Sequence, residues 1–195
     1  FGGQGRKLIM ALIEYKEKTR TRRFASIMER PRKNKKAPKN LRVLLKKNSG
    51  RSNGTVIVRH QGGRHKRYYR IIDFKRDNFG IEGVVEALEY DPNRSTDIAL
   101  IKFSNGQYRY ILAMKGLKVG DKVESNEKAE VKIGNTMKLK NMPIGTIVHN
   151  VELTPGRGGQ MGRSAGTSLT LQAKQEPYAH LKLPSGEIRM VSLEC

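Results

Sequence analysis

The chain has 195 residues, enough for one ordinary domain or two small ones. Its 39 Lys and Arg against 18 Asp and Glu give a formal net charge of +21 and a pI near 10.3. Self-repulsion of that size opposes a compact free protein, so the charge points to a polyanionic partner. No run of about 18 apolar residues occurs, which excludes a membrane-spanning helix.

Residues 1–76 hold 24 Lys and Arg against 4 Asp and Glu, whereas residues 77–195 hold 15 against 14. A membrane-surface protein would concentrate its charge on one amphipathic helix. Here it is spread over a stretch containing Pro, Gly and Asn, which reads as an arm for nucleic acid. Leu8, Leu12 and Tyr15, with Ile9 and Ile13 beside them, predict a short helix over 6–18 whose apolar stripe packs on a partner rather than on a membrane. Residues 30–53 are basic and poor in apolar side chains apart from Val43, Leu44 and Leu45, and are expected to order only on a partner.

From residue 55 the texture becomes short β-type runs between turn signals. The predicted strands are 55–58, 68–74, 84–90, 98–103, 108–113, 118–123, 146–153, 168–173, 179–183 and 188–193. Ser104-Asn105-Gly106-Gln107 carries the Asn-Gly hairpin signal, and Pro184-Ser185-Gly186 marks a later turn. Ten short strands at this spacing predict an all-β protein, and two small barrels suit the length better than one large one. The expected divisions are a basic arm over 1–54, a first barrel over 55–125 and a second over 126–195.

The densest chemical signal is Arg59-His60-Gln61-Gly62-Gly63-Arg64-His65-Lys66-Arg67-Tyr68-Tyr69-Arg70. Lys and Arg meet phosphates, with Arg adding a planar fork. Glycines let backbone amides approach closely, and His or Tyr stack on unpaired bases. A solvated basic loop is the plainer alternative. Nothing in the chain suggests a metal centre or a catalytic group. His60 and His65 lack a standard zinc spacing, and Cys195 is the only cysteine. Ser164 matches a nucleophile elbow in its five letters only, because a strand and not a helix is predicted after it. The segment 155–164 lacks the Gly and Lys positions of a phosphate-binding loop, so it reads either as a flexible loop with two Arg, suited to an RNA backbone, or as a plain β-hairpin loop. No cofactor is expected.

Four segments carry a resemblance to a known family: RHQGGRHKRYYRIIDFKR (59–76), LEYDPNRSTDIALIKF (88–103), YILAMKGLKVGD (110–121) and GNTMKLKNMPIGTIVHNVELTPGRGGQMGRSAGTS (134–168). Over residues 40–195 the chain resembles the ribosomal protein L two family of the large subunit. The resemblance implies an OB-fold barrel followed by an SH3-like barrel, with no enzymatic activity of its own. It implies binding to large-subunit rRNA and to neighbouring ribosomal proteins, near the peptidyl-transferase region, and support for subunit assembly and association. Its rRNA contacts map onto Arg51, Asn53, Arg59, His60, Gly62, Gly63, His65, Lys66, Tyr69, Arg70, Lys75 and Arg76. Later motifs add Arg94, His149, Asn150, Arg157, Gly159, Gln160, Arg163, Ser164 and Gly166.

The chain departs from the family pattern at Arg64, where the family has a third glycine, and between Arg51 and Arg59, which is one residue short. The family's further glycine-rich segment, with its histidine near the catalytic RNA, has no counterpart after Cys195. A separately encoded C-terminal part of the same family protein is therefore an expected partner. The Lys-rich composition and unusual start favour a mitochondrial ribosome, with a bacterial cytoplasm or a plastid as the alternative.

Overall fold

The structure is a computed structural model and describes residues 12–15, 20–22, 24–28, 38–46, 49–63 and 65–195. In chain order, β1 (Leu12–Glu14) and β2 (Ser26–Met28) form an antiparallel ribbon. A 3₁₀ turn at Lys39–Leu41 leads into β3 (Arg42–Leu44). β4 (Arg51–Ser52) and β5 (Thr55–Val56) make a tight hairpin, and β6 (Tyr68–Arg70) returns to pair with β3. Next come β7 (Gly83–Glu89), β8 (Ile98–Phe103), β9 (Tyr108–Leu112) and β10 (Lys122–Val123), in the sheet order β10-β7-β8-β9. The last sheet runs β11 (Ile147–Val148), β12 (Leu169–Gln175), β13 (Tyr178–Lys182) and β14 (Ile188–Ser192), in sequence order.

All ten predicted strand regions contain a strand, several of them shortened for local reasons. The run expected over 118–123 keeps only Lys122–Val123, because Lys118 N donates to Asp121 Oδ2 at 2.7 Å and Gly120 turns the chain at φ +94°. The run over 146–153 breaks after Val148, where Asn150 adopts φ +51° and only the Val151–Met161 bridge continues the pairing. Of the helix expected over 6–18, residues 6–11 and 16–18 lie outside the described residues. Leu12–Glu14 is a strand instead, with Ile13 opposite Ile27. A short apolar run carries both periods, and here cross-strand pairing wins. Within 30–53, Arg42–Leu44 is tied to the first barrel by its ladder with Tyr68–Arg70, so this part of the basic stretch has a partner within the chain.

β8 explains how the first barrel is built. Ile98 and Leu100 pack on one side with Ile72, Tyr110 and Leu112. Ala99, Ile101 and Phe103 pack on the other with Val85, Ile111, Leu117 and Val123. An uninterrupted apolar run is what a strand buried on both faces requires. The cover on the Ile98 side includes Leu41 and Phe74, brought in from the segments around β3 and β6. The sheet curls and is extended by a parallel bridge between Ile72 and Tyr110, with Asp73 N donating to the Tyr110 carbonyl at 2.8 Å.

The second core gathers Leu139, Val148, Leu169, Leu171, Ala179, Leu181 and Val191. Leu139 N donates to the Cys195 carbonyl at 2.9 Å and Lys140 N to that of Leu193 at 3.1 Å, tying the start of this unit to its last strand. Burying each large aliphatic side chain contributes roughly 1.5–3 kcal/mol. The two curled antiparallel units are an OB-fold barrel followed by an SH3-like barrel.

Candidate RNA-binding surface

The glycine-rich loop of the second barrel sits against the first. Glu152 organises it, accepting from Gly156 N at 2.9 Å and from Gly158 N at 2.6 Å. Gly159 N then donates to the Phe74 carbonyl at 2.9 Å, and the Arg163 guanidinium lies 3.8 Å from the centre of the Phe74 ring. Arg163 also donates to the Gly159 carbonyl. Gly159 has no substitute here, because a Cβ would collide with the carbonyl oxygen of Asn150. A further bond joins Ala165 N to Ser95 Oγ at 3.1 Å.

Asp91 is the hub of the neighbouring turn and is fully buried. Its carboxylate accepts from Arg94 Nε at 2.7 Å and from Asn93 N at 3.0 Å, and lies 3.7 Å from Arg70 Nη1. These bonds aim Arg94 over the Tyr69 ring, 5.4 Å from its centre. Nearby, Glu89 accepts from the Tyr110 hydroxyl at 3.1 Å. Burial pushes the Glu89 carboxyl above its ordinary range, opposed by the Tyr110 hydrogen bond and by Arg70 and Arg42. Arg163 is moved the other way, its charge disfavoured by burial.

The predicted contacts fall into three groups. Arg51, Asn53, Arg59, His60, Gly62, Gly63, His65, Lys66 and Lys75 are exposed, as are Arg157, Gln160, Ser164 and Gly166. Tyr69, Arg94, His149, Asn150 and Arg163 are half-buried. Arg70, Arg76 and Gly159 are buried. Arg76 donates through Nη2 to the Gly134 carbonyl at 3.0 Å, and its own carbonyl accepts from Ser125 Oγ at 2.7 Å. Its guanidinium therefore braces the segment between the barrels. Burial lowers the His149 pKa, and the Arg76 charge lowers it further.

The structure brings Tyr69, Arg94, Ser95, Ala165, Arg163 and Phe74 into one connected strip across both barrels. Sequence reasoning missed Phe74 and Asp91 as organisers, since an aromatic in a strand and an Asp in a turn are ordinary in isolation. The β4–β5 hairpin had a visible signal, because Asn53-Gly54 is the same turn dipeptide as Asn105-Gly106. At 53–54 both residues take positive φ, as the two-residue turn demands. At 105–106 only Gly106 does, giving a longer loop.

Among the described residues no group of three or more His, Cys, Asp or Glu is placed to hold a metal ion, and no helix is long and apolar enough to cross a membrane. Burial pushes the Cys195 thiol up to about 11, so it is not a thiolate at neutral pH. Two β-barrels in contact through a cation-bearing loop, with a basic segment before them, have the charge and fold features of a nucleic-acid-binding protein. Residues 38–125 match the family model for Ribosomal Proteins L2, RNA binding N-terminal domain, and residues 132–195 match that for Ribosomal Proteins L2, C-terminal domain. The chain belongs to the L2 family of ribosomal proteins, structural RNA-binding components of the large subunit that associate with rRNA and other ribosomal proteins.

Proposed function

We propose that the chain holds large-subunit rRNA near the peptidyl-transferase region. In this reading it binds through the exposed residues of 51–66, through Lys75, and through the strip that ends at Arg157 and Arg163. One backbone observation carries the reading. Among the described residues four non-glycine positions have left-handed φ, and they are Asn53, His60, Arg76 and Asn150. Each lies in a segment expected to contact RNA. Such conformations cost on the order of 1–2 kcal/mol for a residue such as His or Arg and gather at functional sites.

Arg and Lys neutralise phosphates and release counterions, while exposed glycines and His60 follow the backbone and stack on unpaired bases. Arg70 and Arg76 act from inside, fixing the shape that presents the others. A mitochondrial ribosome is the setting that the Lys-rich composition favours. Hydroxyl-radical footprinting of large subunits reconstituted with the full chain tests the placement. Protection of rRNA around the peptidyl-transferase region is expected, and protection confined to remote helices would overturn it. Co-sedimentation of the chain with large subunits from fractionated mitochondria tests the setting, and its presence only in cytoplasmic or plastid subunits would refute it.

A further inference from the structure

A cleft of about 480 Å³ opens where the glycine-rich loop meets the first barrel. Its apolar wall is Leu41, Ile71, Ile72 and Tyr108, and Lys75, Arg109, Arg157 and Arg163 also line it. The volume lies within the usual range for small-ligand sites, roughly 300–1,000 Å³. It also contains two carboxylates, Asp73 and Asp77. Both carboxylates meet Arg109.

The two acids differ. Asp73 is committed on both oxygens, accepting from Arg76 N at 2.8 Å and from Arg109 Nη1 at 2.9 Å. Asp77 is 56% exposed and meets the same Arg109 nitrogen through Oδ1. Among the described residues no hydrogen bond reaches its other oxygen, which can accept from a ligand. Arg109, held between the two, fixes the Asp77 carboxylate at the cleft.

We infer that this cleft receives one unpaired nucleotide of an RNA strand, with Asp77 reading the exocyclic amino group of its base. The inference rests on the RNA-binding reading above and adds a base preference to it. Lys75 and Arg157 supply the phosphate contacts, and Tyr108, Ile71 and the Arg163 guanidinium supply the surfaces against which a base stacks. A carboxylate oxygen accepts readily from the amino groups of adenine, cytosine or guanine, whereas the one N–H on the pairing edge of uracil is flanked by two carbonyl oxygens that oppose its approach. The cleft therefore selects an amino-bearing base over uracil.

Fluorescence anisotropy of the full chain with two labelled RNA hairpins, identical except for a single unpaired A or U, tests this. The wild-type chain is expected to prefer the A probe by about tenfold, the scale of one good base contact. Asp77→Ala should reduce that preference to below about twofold, and Asp77→Asn, which keeps a carbonyl acceptor, should retain part of it. Lys75→Ala should weaken both probes equally. Equal wild-type affinity for the two probes, or an undiminished preference in a folded Asp77→Ala chain, would overturn the cleft assignment while leaving RNA binding intact. Failure of the wild-type chain to bind either probe would refute the RNA-binding reading itself, and the cleft with it.

Discussion

Arg163 rests on Phe74, 3.8 Å from ring centre to guanidinium carbon, and the two residues come from different barrels. The contact joins the glycine-rich loop to the first barrel, and Gly159 N seals the same place by donating to the Phe74 carbonyl. A double-mutant cycle on Arg163→Ala and Phe74→Leu should give a coupling of about 0.5–2 kcal/mol by urea unfolding. Additive effects would mean that the ring and the guanidinium merely sit together.

Arg157 and Arg163 line the same cleft but should not respond alike. Arg157 is exposed, so Arg157→Ala should leave stability within about 0.5 kcal/mol. It should make the log–log salt dependence of rRNA-fragment binding shallower by roughly 0.7–0.9, the loss of one phosphate contact. Adding Arg163→Ala should make it shallower again and also lower the unfolding midpoint, because that side chain is tied to Phe74 and to the Gly159 carbonyl. An unchanged salt slope in the double variant would remove the loop from the RNA contacts.

Gly159→Ala places a methyl group against the Asn150 carbonyl, in a buried turn with little room to yield. A loss of about 2 kcal/mol or more is expected from chemical denaturation. Gly166→Ala meets open space at its Cβ, and its φ of +74° alone should cost about 1 kcal/mol. Similar losses at the two positions would contradict the close approach at Gly159.

His60 takes φ +61°, a conformation that glycine adopts freely. His60→Gly should therefore leave stability unchanged or raise it by up to about 1 kcal/mol, while lowering affinity for rRNA fragments severalfold. Retained affinity would show that the imidazole is not a contact.

Glu89 titrates inside the first barrel with its pKa raised, chiefly by burial. The folded protein thus holds this proton more tightly than the unfolded chain does. Its stabilising contribution is complete below the ordinary carboxyl value, about 4.3, and is lost as pH rises through the higher folded value. Glu89→Gln removes the ionisation and keeps an acceptor for the Tyr110 hydroxyl. Urea midpoints at several pH values should show the variant gaining on the wild type from about pH 4.3 upward towards neutrality. A constant gap would assign the effect to packing rather than to charge.

Much of the fold was readable because β8 and its neighbours carry the plain apolar and turn patterns of short strands. The hairpin at 104–107 and the turn at 184–186 were visible for the same reason. The ribbon of Leu12–Glu14 was not, since its apolar residues suit a helix equally well and only the pairing with Ser26–Met28 decides. The candidate surface was legible as a set of residue types, through Arg, Gly and His in fixed order. Which of those side chains face outward was not legible. Arg70 and Arg76 differ from exposed Lys75 only in where Asp91 and the Gly134 carbonyl happen to lie.

The two-sided burial of β8 has a thermodynamic consequence. One covering layer of the first barrel is delivered by the segments around Leu41 and Phe74, which are continuous in sequence with the basic stretches expected to meet rRNA. Any RNA that immobilises those stretches holds down the cover as well, and so shifts the folding equilibrium by mass action. Hydrogen exchange of the β8 amides should slow when an rRNA fragment is bound. The barrel interior then acts as a reporter of what the arm has grasped.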